Sequence, residues 1–200
     1  MKDRYKETIA GLTEKELLFH LAATQILLLT ISAILGMILF DSIGGFKELF
    51  FWDVSNILIY GLGAGAAVVA LDVLLMKYMP KRYYDDGGLN ERIFKNRSVI
   101  QILLIAAMVA VSEEVLFRGV IQTHTGLVLS SFIFAVVHYR YLFNWFLFTN
   151  IVLLSFLIGY IYMVTNNLVV TIVMHFMIDF ILGLIIKFRT QAAIGGTDVE

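Results

Sequence analysis

The stretch Val99-Ile100-Gln101-Ile102-Leu103-Leu104-Ile105-Ala106-Ala107-Met108-Val109-Ala110-Val111 runs without a charge into Ser112-Glu113-Glu114-Val115-Leu116-Phe117-Arg118-Gly119. An ionisable group inside a membrane span costs roughly 2.5–3.5 kcal/mol on insertion scales, so two carboxylates and an arginine at the end of such a run mark a functional site with a partner to be named. Glu114 and Arg118 are four residues apart, on one helical face and within salt-bridge reach. Glu113 is turned about 100° from Glu114 by the 3.6-residue repeat and does not share that pairing. Glu113 is therefore the carboxylate left for chemistry.

Composition sets the class. Of 200 residues, 60% are hydrophobic and 16% charged, with one proline, Pro80. Mean hydropathy is +0.85. A soluble domain carries about 45–50% apolar residues, so an integral, multi-pass membrane protein is expected. The chain has no cysteine, which removes disulfides, thiolate ligands and a cysteine nucleophile together. The fold class expected is an all-α, polytopic transmembrane helix bundle of about six spans.

Thr13, with Glu16 three residues later, predicts a capping-box helix start that leads directly into an apolar span, Leu17 to Phe40. This is read as a retained first span, since it exceeds the core of a signal peptide. A second span, about Val54 to Met79, holds Gly61, Gly63 and Gly65, which permit close approach of a neighbouring helix. Trp52 precedes it as an interfacial anchor. Four more are expected at Ser98 to Phe117, Gly126 to His138, Trp145 to Val164 and Leu168 to Ile186. The fourth rises only about 20 Å, so it either tilts or belongs to a re-entrant region. Turns are expected at Gly87-Gly88 and Asn166-Asn167. Lys and Arg number four at the amino end, one in the first loop and six over residues 77–97, so both termini and that basic loop are expected on the cytoplasmic side. The organisation expected is a two-span extension with a basic loop (1–97), a catalytic helix core (98–186) and a polar tail (187–200), unstructured from Ala193 to Glu200.

Two further polar constellations interrupt the spans. His138 follows Phe134 by one turn, and His175 and Asp179 lie one turn apart on one face. Measured from span ends, Glu113 is expected about 8 Å deep, His175 about 11 Å, and His138 and Asp179 about 17 Å, which lets the four meet. That measure sets Glu113 and His175 nearer the outer face. Helix gluing alone is met by hydroxyls at lower desolvation cost. Asp72, His20 and His124 are read as a paired or water-facing acid, an interfacial histidine and a surface histidine.

In this order the motifs resemble those of the CAAX protease and bacteriocin-processing family of intramembrane endopeptidases, often called the Abi family. Glu113-Glu114-x-x-x-Arg118-Gly119 is similar to its first motif, Phe134-x-x-x-His138 to its second and His175-x-x-x-Asp179 to its third. The resemblance covers about residues 98–183 and implies peptide-bond hydrolysis at membrane depth. By that resemblance Glu113 and His138 activate water, His175 and Asp179 face the oxyanion, and Glu114, Arg118 and Phe134 support them. An ionised Asp179 cannot donate to an oxyanion, whereas a protonated one can. A second possibility is zinc, with His138, His175 and a carboxylate from Glu113 or Asp179 as ligands, although the His-Glu-x-x-His signature is absent.

The partners expected are the lipid bilayer and a membrane-associated peptide or protein, with no nucleic acid. The substrate is not named by any residue: prenylated tails, peptide leaders and membrane-protein stubs are all open. A non-enzyme alternative is an immunity or scaffold protein that binds through the same bundle. Proton-coupled transport is disfavoured by size and by the lack of paired inverted repeats.

Overall fold

A computed structural model describes residues 7 and 11–195. Helix α1 (Glu14–Leu39) starts at the expected capping box: the Glu16 backbone N–H donates to Thr13 Oγ1 at 3.3 Å, and the Thr13 N–H to Glu16 Oε2 at 2.7 Å. A short helix α2 (Ile43–Lys47) follows, then α3 (Val54–Tyr78), α4 (Lys81–Tyr84) and α5 (Leu89–Phe94). The long helix α6 (Val99–Thr125) leads to α7 (Leu127–Val137), a 3-10 turn (Tyr139–Phe143), α8 (Trp145–Thr165) and α9 (Leu168–Gly195). Five of these helices, α1, α3, α6, α8 and α9, are long and apolar enough to cross a bilayer.

Contacts between loops show how the chain threads. At one end Arg97 Nη2 pairs with Glu14 Oε2 at 3.2 Å, Lys187 Nζ donates to the Arg97 carbonyl at 2.6 Å, and Asn144 Nδ2 donates to the Arg82 carbonyl at 3.0 Å. At the other, Asn167 Nδ2 donates to the Phe51 carbonyl at 2.9 Å and the Leu168 N–H to the Leu49 carbonyl at 2.8 Å. The chain therefore passes six times between these ends, and the fourth pass is made by α7 and the 3-10 turn. Eleven helical residues rise about 16 Å, half of a hydrocarbon core, so α7 stops midway. The basic loop gathers with the start of α1 and the end of α9 at one end of the bundle.

Two expectations need correction. The third span does not stop at Phe117: it runs eight residues further, through a π-helical stretch, Val115–Gln122, to Thr125. Hydropathy ended the expected span before Arg118, but its charge is met within the bundle by Glu114 and Ser155, so the helix runs on. The break falls instead at Gly126, whose φ of +82° favours a residue without Cβ. Measured from Thr125, Glu113 lies about 18 Å along the helix, in mid-bundle and not near one face. The tail, in turn, is not polar coil throughout, since α9 continues to Gly195; the remainder lies outside the described residues.

The helices are apolar outward. On α1 the buried residues are Leu17, Gln25 and Ser32, whereas Met37 is 78% and Ile38 71% exposed. A helix that buries an amide and a hydroxyl and presents isoleucine outward faces lipid. Gly61 and Gly65 of α3 lie on α9, where an added Cβ would stand 3.3 Å from the carbonyls of Val170 and Met174 respectively. The expected close approach is thus made by two of the three glycines; Gly63 meets only its own helix. The turns at Gly87-Gly88 and at Asn166 take positive φ, as their residues predict.

Candidate active site

Helix α6 carries Glu113, Glu114 and Arg118, α7 ends on His138, and α9 carries His175 and Asp179. The three motifs meet. Glu114 is fully buried, and its Oε1 lies 2.9 Å from His175 Nδ1. Its Oε2 lies 3.4 Å from Arg118 Nε, where the two attract as charges without a well-aligned hydrogen bond. Arg118, also fully buried, donates from Nη2 to the Ser155 carbonyl at 3.1 Å and to Ser155 Oγ at 3.2 Å. Neither charge would be tolerated alone at this depth, and together they hold one edge of the His175 ring.

Glu113 has a different setting. Its Oε2 is 3.8 Å from His138 Nε2 and 4.0 Å from His175 Nε2, beyond direct hydrogen bonding in both cases. His138 Nδ1 is 2.8 Å from the Phe134 carbonyl. A carbonyl only accepts, so Nδ1 carries the proton, and in the neutral ring Nε2 is left as an acceptor aimed at Glu113. Asp179 Oδ2 stands 3.5 Å from His175 Nε2, and its side chain, 32% exposed, is the most open of the group.

Phe134 joins the two halves. Its ring stands 4.4 Å from His138 between centroids, tilted by 30°, and the Arg118 guanidinium sits 4.7 Å over its face. Phe117 meets it edge-on at 4.9 Å. The aromatic one turn before His138 is thus the floor of the arginine site, which helps satisfy a desolvated cation.

Among the described residues no three His, Asp or Glu side chains are grouped so as to hold a metal ion. Glu114 occupies one ring nitrogen of His175 and Phe134 one of His138, which leaves single nitrogens facing carboxylates. Holding one ring nitrogen by a carboxylate or carbonyl is also how metal-binding histidines are oriented, so what counts against the zinc reading is the spacing of the donors and not their occupancy.

The other candidates stay apart. His20 is exposed on α1 beside Phe19, and His124, exposed near the end of α6, meets the Val120 carbonyl and the edge of Phe40. Asp72 is half-buried on α3, and among the described residues no hydrogen bond or ion pair joins it to the site. Several polar residues around the site were not anticipated. Gln25, from the first span, takes a hydrogen bond of 2.5 Å from Ser112 Oγ, next to Glu113. Ser155 holds Arg118, Gln122 reaches the Gly159 carbonyl, and Ser130 Oγ donates to the Phe117 carbonyl at 2.6 Å. Gln25 and Ser155 were visible as isolated polar residues in apolar spans, and uncharged groups cost less to bury and signal less. Gln122 lay outside the expected spans, in the polar run 122–125, and Ser130 beside Ser131.

Residues 95–181 match the family model described as type II CAAX prenyl endopeptidase Rce1-like. The chain is 40% identical over 168 residues to the uncharacterized protein YpbD of Bacillus subtilis (strain 168), covering 83% of this chain and 88% of that one. No solved structure matches.

Proposed function

This chain belongs to the type II CAAX prenyl endopeptidase Rce1-like family, and on that premise we propose that it is an intramembrane endopeptidase cleaving a membrane-associated protein or peptide. The observation that carries the reading is the 3.8 Å gap between Glu113 Oε2 and His138 Nε2, two acceptors facing one another. One water between them donates a proton to each, which turns its lone pair outward as a nucleophile. The water oxygen attacks the scissile carbonyl carbon, and the proton it gives up is held by Glu113 and His138. That proton passes to the leaving nitrogen as the carbon–nitrogen bond breaks.

The developing oxyanion faces His175 Nε2, whose N–H donates to it. Glu114 accepts from Nδ1 on the far edge of the ring and keeps the ring aimed, with Arg118 balancing its charge. Asp179 is then an ionised acceptor that steadies His175 Nε2 before substrate enters, a role that asks no proton of it. No step needs a metal. The family's substrates and this chain's own need not coincide, and a prenyl group is not required by any residue named here.

The test is cleavage of a panel of membrane-tethered peptides by the full-length protein in detergent, wild type against Glu113→Gln, each with and without a strong chelator. Wild type should cut, Glu113→Gln should lose at least about a hundredfold in rate, and the chelator should change nothing. Chelator-sensitive activity restored by zinc would overturn the metal-free mechanism. Activity that survives Glu113→Gln would overturn the assignment of the base, and no cleavage at all would favour a binding protein.

A further inference from the structure

Beyond the ionisable groups, α6 is fastened to α8 by a second polar contact. Gln122 Nε2 donates to the Gly159 carbonyl at 2.6 Å, while Arg118 Nη2 donates to the Ser155 carbonyl at 3.1 Å. Arg118 and Gln122 are four residues apart on α6, as are Ser155 and Gly159 on α8. Both helices run from the basic end of the bundle to the other, and Thr123 Oγ1 and the Tyr162 hydroxyl share a further hydrogen bond of 2.7 Å beyond Gln122. The bonds therefore form a ladder of three rungs between parallel helices, of which Gln122 on Gly159 is the middle one. The middle rung is fully inside: Gln122 is 6% exposed, and its Oε1 and Ser131 Oγ are both buried without partners.

Gly159 allows this junction. A Cβ there would stand 2.5 Å from Leu127 Cδ1, 2.8 Å from Gln122 Oε1 and 3.4 Å from Ser131 Oγ. Three helices, α6, α7 and α8, therefore converge on a point where a side chain would have to displace the ends of Leu127 and Gln122. Sliding α8 along α6 would withdraw Ser155 from Arg118, and Arg118 is what balances Glu114, the partner of His175. Arg118 is not alone against that slide: one turn further on Gln122 holds the Gly159 carbonyl directly, beside Ser155's turn, and Thr123 meets the Tyr162 hydroxyl beyond it.

We propose that Gln122, seated on Gly159, is a positioning residue for the hydrolytic site: it fixes the register of α8 on α6 and, through Arg118 and Glu114, the orientation of His175. It touches no reacting atom. The proposal rests on the peptidase reading for its kinetic consequence but not for its structural one.

The chain has four histidines, His20, His124, His138 and His175, so ring-nitrogen NMR of the full-length, histidine-labelled protein in detergent gives four pairs of signals, one pair for each ring. Gln122→Met keeps length and removes the bond; Gly159→Ala crowds Gln122 from the opposite side. Ser130→Ala is the matched control, since it deletes a buried hydrogen bond to the same stretch of α6 outside the path to His175. Both test variants should displace the His175 ring signals and leave His20 in place, whereas Ser130→Ala should lower thermal stability with His175 unmoved. On any cleaved peptide, Gln122→Met should lower kcat roughly ten- to a hundredfold with KM little changed. If Gln122→Met and Gly159→Ala only lower the melting temperature, as Ser130→Ala does, and His175 stays in place, the proposal is overturned. Displaced His175 signals in a protein that cleaves nothing would uphold the positioning role and sink the peptidase reading alone.

Discussion

Glu113 and Glu114 are neighbours on one helix, and the bundle treats them in opposite ways. The Glu114 face is sealed: that carboxylate has no exposure, and it lies between Arg118 and His175, with Arg118 in turn bound to Ser155 and floored by Phe134. The Glu113 face is partly open, and its carboxylate makes no direct hydrogen bond while standing 3.8 and 4.0 Å from two imidazoles. The difference teaches how a membrane bundle retains a reactive acid. One carboxylate is spent on fixing an arginine and a histidine, and the geometry so fixed leaves the second carboxylate facing a gap of one water.

The largest effect should come from breaking the sealed face. Arg118→Met leaves Glu114 buried without its counter-charge and should cost about 3–5 kcal/mol, read as a fall in the thermal midpoint in detergent or as loss of folded protein. A midpoint unchanged from wild type would mean that the Glu114 face holds nothing together. Next, Glu113→Gln should lose at least about a hundredfold in peptide cleavage while melting close to wild type, because no bond to Glu113 is there to lose. Remote packing can be weighed against both by Gly65→Val, which forces a branched side chain against the Met174 carbonyl beside His175 and should cost about 1–3 kcal/mol in the same melt. The smallest changes are expected at His20→Gln and His124→Gln, within about 0.5 kcal/mol and without effect on cleavage, since neither ring reaches the site.

Much of this arrangement was legible in the sequence, and the reason is energetic. Ionisable groups inside apolar runs are so costly that Glu113, Glu114, Arg118, His138, His175 and Asp179 stand out one by one, and helical spacing pairs Glu114 with Arg118 correctly. The short fourth pass was legible as well, because thirteen residues cannot cross a bilayer as a helix. What misled was Arg118 as a span end. Hydropathy counts Arg118 as a stop, although its i,i+4 pairing with Glu114, legible in the spacing, is what lets the helix continue; the Ser155 contacts that complete its setting are tertiary. For the same reason Glu113 was set too near one face. The amide and hydroxyl of Gln25 and Ser155 were missed because burying a neutral polar group is cheap enough to be common in membrane helices, and Gln122 because the expected span stopped five residues short of it. Their roles depend on which carbonyl or hydroxyl lies opposite, and no one-dimensional pattern states that.

The central claim, that adjacent carboxylates divide structure from chemistry, is tested most directly by measuring Glu113→Gln and Glu114→Gln side by side, each for thermal midpoint and for cleavage of the same membrane-tethered peptide. The account predicts that Glu113→Gln melts like wild type and does not cut, while Glu114→Gln melts well below it. A Glu114→Gln protein as stable as wild type, or a Glu113→Gln protein that still cuts, would contradict it.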